Sequence, residues 1–452
     1  MSPDGRPAVA VVGGGLAGIT AALHCADAGA EVTVYEARPR LGGLTHSFRR
    51  GELWVDNGQH VFLRCCTAYR QLLDRLGVGE LVTVQPRLDI PVRGGSRTAR
   101  LRANRLPAPL HLATALLRYP WLSLHERVAF ARAALALRTL DPADPATDAR
   151  SFGSWLRAHR QASPAAVALW DLIGIATLNA RADDVSLALA ATVFQQGLLE
   201  SGSAADIGWA MVPLQRLHGD AAAAALSRVG ARIRLRTKVE RLDRVGGRWS
   251  VHAAAADVPA DAVVVAAPPT VTERLLPTGA LDVPPGWAER LGSSPIVNLH
   301  VVLDRQVLAE PFLASVGGEL QWVFDRTAQA GLGQGQYLAV SMSAADALID
   351  VPTAQLKQRF VPALEALLPT MREAQMLDFF VTRERTATFR PIPGTGALRP
   401  PNQTRVPGLA VAGAWTATEW PATMEGAVRS GAAAAAAVLA EVDRAPAGEM
   451  AA

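Results

Sequence analysis

The chain has 452 residues, 50% of them hydrophobic, with a formal net charge of +4 and a sequence pI of about 9.3. That length suits two or three domains. Its arginines are spread rather than clustered, so the mild basic excess gives no indication of nucleic-acid binding and allows only a weak attraction to an anionic membrane surface. Three cysteines, Cys25 and the neighbours Cys65 and Cys66, form neither a disulfide framework nor a metal-spaced set, and no metal is expected. Asp4 and Arg6 lead directly into the first strand without a signal-peptide core. No apolar run reaches the roughly 18 residues of a spanning helix. The expected location is the cytoplasm.

Residues 8–43 organise the rest. Residues 8–12 are an unbroken apolar run, the pattern of a strand buried on both faces. Gly13, Gly15 and Gly18 come next at G-x-G-x-x-G spacing. The first permits a tight turn, the second lets backbone approach a pyrophosphate, and the third lets the helix pack on the strand. Residues 16–28 read as that helix, opened by Leu16 and Ala17, with Gly29 as its C-terminal cap. Residues 31–35 form a second strand that ends at Glu36. This acid lies 18 residues past the last glycine, near the roughly 20 at which a carboxylate bonds a ribose hydroxyl. An acid there also argues against a 2′-phosphate. The alternative is a glycine-rich turn in an ordinary βαβ unit, but the full order of strand, glycines, helix, strand and acid favours a dinucleotide.

After Glu36 and Ala37 comes Arg38-Pro39-Arg40-Leu41-Gly42-Gly43. A nicotinamide site has no need of this second glycine pair. The segment resembles the R-x-G-G extension of the flavin amine oxidase and phytoene desaturase superfamily, which lines the flavin's pyrophosphate and ribityl chain. The resemblance implies FAD as cofactor, with Gly13, Gly15, Leu16, Ala17, Gly18, Glu36, Ala37, Arg38, Gly42, Gly43 and Leu44 around it.

The string Asp56-Asn57-Gly58-Gln59-His60 ends a strand pattern that begins at Leu53. In that superfamily a strand ending in Asp-x-Gly passes close to the flavin ring. The fuller string resembles one branch, the bacterial hydroxysqualene dehydroxylases. Gly58 would admit the ring to the backbone, and Gln59 and His60 would reach flavin or substrate. His60 also reads as a structural histidine near a turn. Residues 67–76 form an amphipathic helix, and residues 86–101 alternate as strands or a hairpin around Gly94-Gly95. Residues 106–138 are rich in Leu and Ala, carry Tyr119, Trp121, Phe130 and several arginines, and are cut by prolines into two short helical pieces. They read either as a helical cap on a substrate domain or as an interfacial segment with arginines at the headgroups. Residues 141–145 are a linker, and 151–199 read as several helices.

Residues 208–213 lead into a helix that ends at 229. Residues 231–239 alternate as one strand, and the resemblance puts the backbone of Val239 against the adenine. Residues 249–251 and 261–267 add strands. Residues 295–304 alternate as in a large antiparallel sheet, with 321–324, 337–342 and 377–390 as further strands and 353–368 as a helix. Residues 408–416 are a buried strand and a glycine turn resembling the superfamily's second flavin motif. Ala414 stands in place of the usual acid, so Gly413 and Ala414 offer backbone only. Pro421 suits initiation of the last helix. Ala422, Thr423 and Met424 at its start would aim backbone N–H groups at the flavin. Glu425 is either a first-turn helix acid or a second candidate for acid catalysis.

The expected fold is therefore α/β. A discontinuous Rossmann-like FAD-binding domain takes residues 1–95, 205–270 and 395–452, and an α+β substrate domain takes 96–204 and 271–394. The resemblance implies reduction of hydroxysqualene to squalene by hydride from flavin N5, with His60, as imidazolium, protonating the departing hydroxyl. The alternatives are a carotenoid-type desaturase or isomerase, or a flavin- or lipid-binding protein without turnover. No second dinucleotide motif is visible, which leaves a partner reductase or free reduced flavin as electron donor. A polyisoprenoid substrate implies peripheral contact with the inner face of the cell membrane.

Overall fold

The computed structural model describes residues 5–253 and 256–442. Asp4, with the rest of 1–4, and the end of the expected third flavin-domain segment, 443–452, lie outside the described residues.

The apolar run Ala8–Val12 is the middle strand of a five-stranded sheet. The order is Arg232–Arg234, Glu31–Tyr35, Ala8–Val12, Ala262–Val265, Leu409–Val411, and every neighbouring pair is parallel. Helices cover both faces of such a sheet, which is why its inner strands read as continuous apolar runs. Three distant stretches of chain thus bring the ends of their strands together along one edge. The helix Leu16–Asp27 leaves the first strand so closely packed that a Cβ on Gly18 would run into the carbonyl oxygen of Gly13. The C-terminal helix Met424–Val442 packs on it just as tightly, with Gly431 against the Ala17 carbonyl.

The alternating stretch 231–239 is not one strand. Arg232–Arg234 pairs with Glu31–Tyr35 only. The chain then turns through Arg236, whose φ is +54°, and resumes as Val239–Val245 in an antiparallel three-stranded sheet. Arg232 and Arg234 are exposed, and charged residues that must stay in water confine a strand to a sheet edge. The segment before it also differs from expectation. Ile207–Ala210 is itself a strand, paired with Val61–Leu63 and Val82–Val84. Strands of three or four residues carry too little periodicity to read.

The second large sheet has seven strands, in the order Met376–Thr388, Ser294–Leu303, Gln336–Met342, Trp322–Asp325, Phe312–Ser315, Asp89–Gly94, Arg97–Arg102. The last two are the expected hairpin, so the boundary placed at residue 95 falls inside one hairpin of this sheet. Strand Ser294–Leu303 shows how the sequence sorts its two faces. Val297, Leu299, Val301 and Leu303 pack under the helix Thr353–Leu367, against Leu356, Phe360 and Leu364. Asn298 and His300 point the other way and are also fully buried, which period-2 geometry requires.

Residues 106–138 form Leu110–Leu112, Ala113–Leu117 and Leu124–Leu137. The last begins at Ser123 with a complete capping box to Glu126. Helices Phe152–Ala158, Pro164–Leu178 and Leu187–Phe194 complete the layer. Phe130, Phe152, Trp170 and Phe194 interlock there as an aromatic cluster.

Candidate active site

One end of the site is made of backbone. Gly13 has φ +110° and donates its N–H to the Tyr35 carbonyl at 2.8 Å. A side chain there would strike the Ala266 carbonyl. Gly15 sits at the N-cap of the first helix, and no side chain caps that terminus. A Cβ on Gly15 would approach only the Gly43 Cα, at 3.8 Å, so the space over the helix start is open. Gly42 donates to the Gly14 carbonyl at 2.8 Å. Gly43, with φ +55°, lies where a Cβ would come within 2.8 Å of the Gly15 Cα. The two glycine turns therefore touch, in keeping with the pattern of residues 8–43.

Glu36 locks them. Its Oε2 accepts from the Gly14 N–H and its Oε1 from the Arg38 N–H, both at 2.7 Å. The carboxylate is buried and retains further lone pairs for a ribose hydroxyl. The middle return is tied to the same segment: Thr237 N–H donates to the Glu36 carbonyl at 2.9 Å and Arg236 N–H to that of Arg38 at 3.0 Å. Val239, buried, comes two residues after Thr237. Leu16, Ala17 and Gly18 are buried in the first turn of the helix, while Ala37, Arg38 and Leu44 are exposed.

The C-terminal motif joins from the far side of the sheet. Ala412 N–H donates to the Val265 carbonyl at 2.9 Å, and Gly413 N–H to Ser430 Oγ at 2.7 Å. Arg399 organises the loop between Gly413 and the last helix. Its buried guanidinium donates to the carbonyls of Thr416 and Trp420, each at 2.6 Å, and its plane lies over Phe389. Burial lowers its pKa to about 10. The last helix starts at Met424 rather than beside Pro421: Thr423 Oγ1 accepts from the Gly426 N–H at 3.1 Å, so Thr423 is the cap and Ala422 precedes it.

Glu425 is placed by the structure in a scaffold role. Its carboxylate is fully buried and accepts from the N–H groups of Ala68 and Tyr69, at 3.2 and 2.7 Å, while pairing with Arg429 at 2.7 Å. It caps the helix Thr67–Leu76, whose own N-cap residue Cys66 offers no side-chain bond. The catalytic candidacy of Glu425 is corrected accordingly, because a fully buried carboxylate that pairs with Arg429 and accepts from the N–H groups of Thr67–Leu76 is held as an ionised helix cap with no proton to give.

The other end of the site is made of side chains. Asp56 is buried, accepts from Ser47 Oγ at 2.5 Å and Leu214 N–H at 3.1 Å, and pairs with the buried Arg326 at 2.5 Å. This fixes the strand end from which Asn57, Gly58, Gln59 and His60 project. The Asn57 carbonyl accepts from Asn298 Nδ2 and Thr382 Oγ1, both at 3.4 Å. Behind Thr382 runs a chain in which Tyr337 OH donates to His300 Nδ1 at 2.7 Å and His300 Nε2 donates to Thr382 Oγ1 at 2.9 Å. His300 is neutral in that arrangement, and burial pushes its pKa to about 3.

His60 is half-buried, with Nδ1 donating to the Gly58 carbonyl at 3.1 Å. Burial lowers its pKa, outweighing the carbonyl and Asp56, which raise it. At neutral pH the resting ring is therefore mostly neutral, and Nε2 is the atom that must take a proton before the ring can act as the expected imidazolium donor.

The residues fit FAD. Two glycine turns leave an open strip over an uncapped helix start, which suits a diphosphate. Glu36 suits a ribose, and a side-chain-free backbone at Gly58 with buried polar groups behind it suits a heteroaromatic ring. Fold and site together define an FAD-dependent oxidoreductase. The chain belongs to the flavin containing amine oxidoreductase family, which it matches over residues 16–439.

Among curated relatives it is similar to a hydroxysqualene dehydroxylase of Sinorhizobium fredii, with 29% identity over 91% of this chain and 93% of that one. It is similar to that of Rhodopseudomonas palustris at 30%, with the same coverage. The zeta-carotene desaturase of Zea mays matches at 24% over 90% of this chain and 79% of its own. Among solved structures, putrescine oxidase bound to putrescine superposes with a TM-score of 0.72 at 20% identity, covering 96% and 99% of the two chains. Cyclohexylamine oxidase from Brevibacterium oxydans superposes at 0.70 and 20%, covering 97% and 100%. At such identities the structures establish the fold.

Arg399, Asn298, Ser430 and Arg326, the partner of Asp56, belong to no motif in the sequence. Only Asn298 leaves a signal: it and His300 interrupt one face of an otherwise apolar alternating strand.

Proposed function

We propose that the protein reductively removes the hydroxyl of hydroxysqualene to give squalene. The observation that carries this reading is likeness to three hydroxysqualene dehydroxylases, at 27–30% identity over about nine-tenths of the chain. The geometry supports it with a polar cluster at Gly58 beside a sheet face lined by Phe312, Trp322 and Phe324. Overall, an allylic alcohol, a hydride and a proton yield a hydrocarbon and water; bound reduced FAD supplies the hydride. The chain's task is to hold the alcohol, supply the proton and keep water from the cationic carbon. His60 is the proposed proton donor through Nε2. Because its pKa is lowered, turnover rises as pH falls toward that pKa. Near-normal single-turnover reduction by His60→Gln would remove this role.

A carotene desaturase activity is the second reading, favoured by the 24–25% identity to zeta-carotene desaturases. Anaerobic incubation of reduced enzyme with hydroxysqualene, set against oxidised enzyme with phytoene, separates the two: only the first pair should give product.

Delivery of an oily substrate is the proposed use of residues 106–138. Leu106, Leu110, Leu117, Leu124, Val128 and Leu135 are exposed, up to 68% at Leu124. Arg105, Arg118, Arg132 and Arg138 are exposed among them, a composition suited to an anionic leaflet. Tyr119 and Phe130 instead face the core, Phe130 stacked on Trp170. No helix of the described residues is long and apolar enough to cross a membrane. Loss of flotation with anionic liposomes in Leu117→Ser/Leu124→Ser is the expected result, and unchanged flotation contradicts it.

A further inference from the structure

We infer that Asn298 is the hydroxyl-recognising residue of the substrate site, its Oδ1 accepting the O–H of an allylic alcohol; the identity of that alcohol rests on the function proposed above.

Asn298 lies on Ser294–Leu303 and is fully buried, yet its Oδ1 has no hydrogen-bond partner. Its Nδ2 is committed to the Asn57 carbonyl at 3.4 Å. The orientation of the amide comes from that bond: reversing it would set Oδ1 against the Asn57 oxygen and lose the donation. The unpaired atom is therefore the oxygen. Its neighbourhood is the ring end, because the Nδ2 lies 3.9 Å from where a Gly58 Cβ would stand, with the His60 ring 3.3 Å from the same point. Gln59 Oε1, the adjacent residue's acceptor, is also buried and unpaired.

Buried carbonyl oxygens without donors cost free energy in the resting protein. The Asn298 oxygen stands at the Gly58 turn without a donor, and three side-chain donors there are engaged elsewhere: Thr382 Oγ1 and Asn298 Nδ2 on the Asn57 carbonyl, and His60 Nδ1 on Gly58. A wholly hydrocarbon polyene cannot supply one, whereas an alcohol can. Sites built to bond a substrate hydroxyl discriminate strongly against the analogue that lacks it, because their own polar groups are then left unpaired. The same atom would hold the alcohol with its oxygen turned toward His60, leaving a lone pair for the proton.

The test is ligand preference in FAD-loaded protein, read as perturbation of the oxidised flavin spectrum by hydroxysqualene and by squalene. Wild type should bind the alcohol about 10-fold or more tighter, the scale of one hydrogen bond to a buried acceptor. Asn298→Leu should bind the two alike, with KM for the alcohol raised more than kcat is lowered. Asn298→Ala is read identically and serves if the leucine variant does not hold FAD. An unchanged preference in either variant overturns the inference. So does a shifted flavin spectrum or midpoint potential in the ligand-free variant, which would assign the acceptor to the cofactor. A wild type without preference also overturns it, whereas a wild type that prefers the alcohol but does not reduce it keeps Asn298 and removes the proposed reaction.

Discussion

The diphosphate end and the ring end of this site are built from different materials. At the first, glycines and backbone groups from neighbouring turns do the work, and one carboxylate, Glu36, ties them together. At the second, side chains from 241 and 325 positions further along the sequence converge on a single carbonyl, that of Asn57. Local rules therefore suffice to describe the first end, and the second exists only once two sheets have docked. Substitutions should separate the two ends in the same way.

The largest effect is expected at the anchor of the ring end. Asp56→Ala leaves Arg326 buried without a counter-charge, and a broken buried pair costs about 3–5 kcal/mol. Chemical denaturation should show that loss, and a change under about 1 kcal/mol would mean the pair is dispensable. At the diphosphate end, Gly13→Ala should fold with little FAD, because its side chain would strike the Ala266 carbonyl at a φ of +110°. Retained flavin absorbance at wild-type stoichiometry would show that the turn can relax. Glu425→Ala should cost about 2–3 kcal/mol through the uncapped helix Thr67–Leu76. Turnover per bound FAD should stay unchanged, and a selective loss of kcat would restore its catalytic candidacy.

Smaller effects come with pH. Burial depresses His218 and His300 from 6.5 to about 3. Their folded forms resist protonation, so this contribution is complete above pH 6.5 and is lost as pH falls toward 3, at about 1.4 kcal/mol per pH unit for each histidine. His300→Gln should flatten the fall in stability between about pH 6.5 and 5, and an unaltered slope would show that the buried ring is not responsible. The least effect on stability is expected from Leu117→Ser/Leu124→Ser, within about 0.5 kcal/mol, since both side chains already lie in water.

This division also explains which parts are legible in the chain. Strands Ala8–Val12 and Glu31–Tyr35 fall on the residues expected, because strand, glycine turn and acid lie within one unit and each rule acts locally. Strand Ser294–Leu303 is legible by its alternation, although what its polar face meets is not. Arg399 gives no local sign: its partners are carbonyls 15 to 21 residues away that converge only in the folded loop. Glu425 is legible as a first-turn helix acid, but the choice between that and catalysis is not, since two of its donors, Ala68 and Tyr69, are more than 350 positions upstream. The arginine-rich 231–239 stretch misleads by its period, because alternation does not reveal that charge confines a strand to a sheet edge.

Product analysis after a single anaerobic turnover bears most directly on the chemistry. Photoreduced holoenzyme mixed with hydroxysqualene should yield close to one equivalent of squalene per reduced FAD, with flavin reoxidised in step. Reduced flavin that persists beside intact hydroxysqualene, in protein that retains its full complement of FAD, would contradict the proposed reaction.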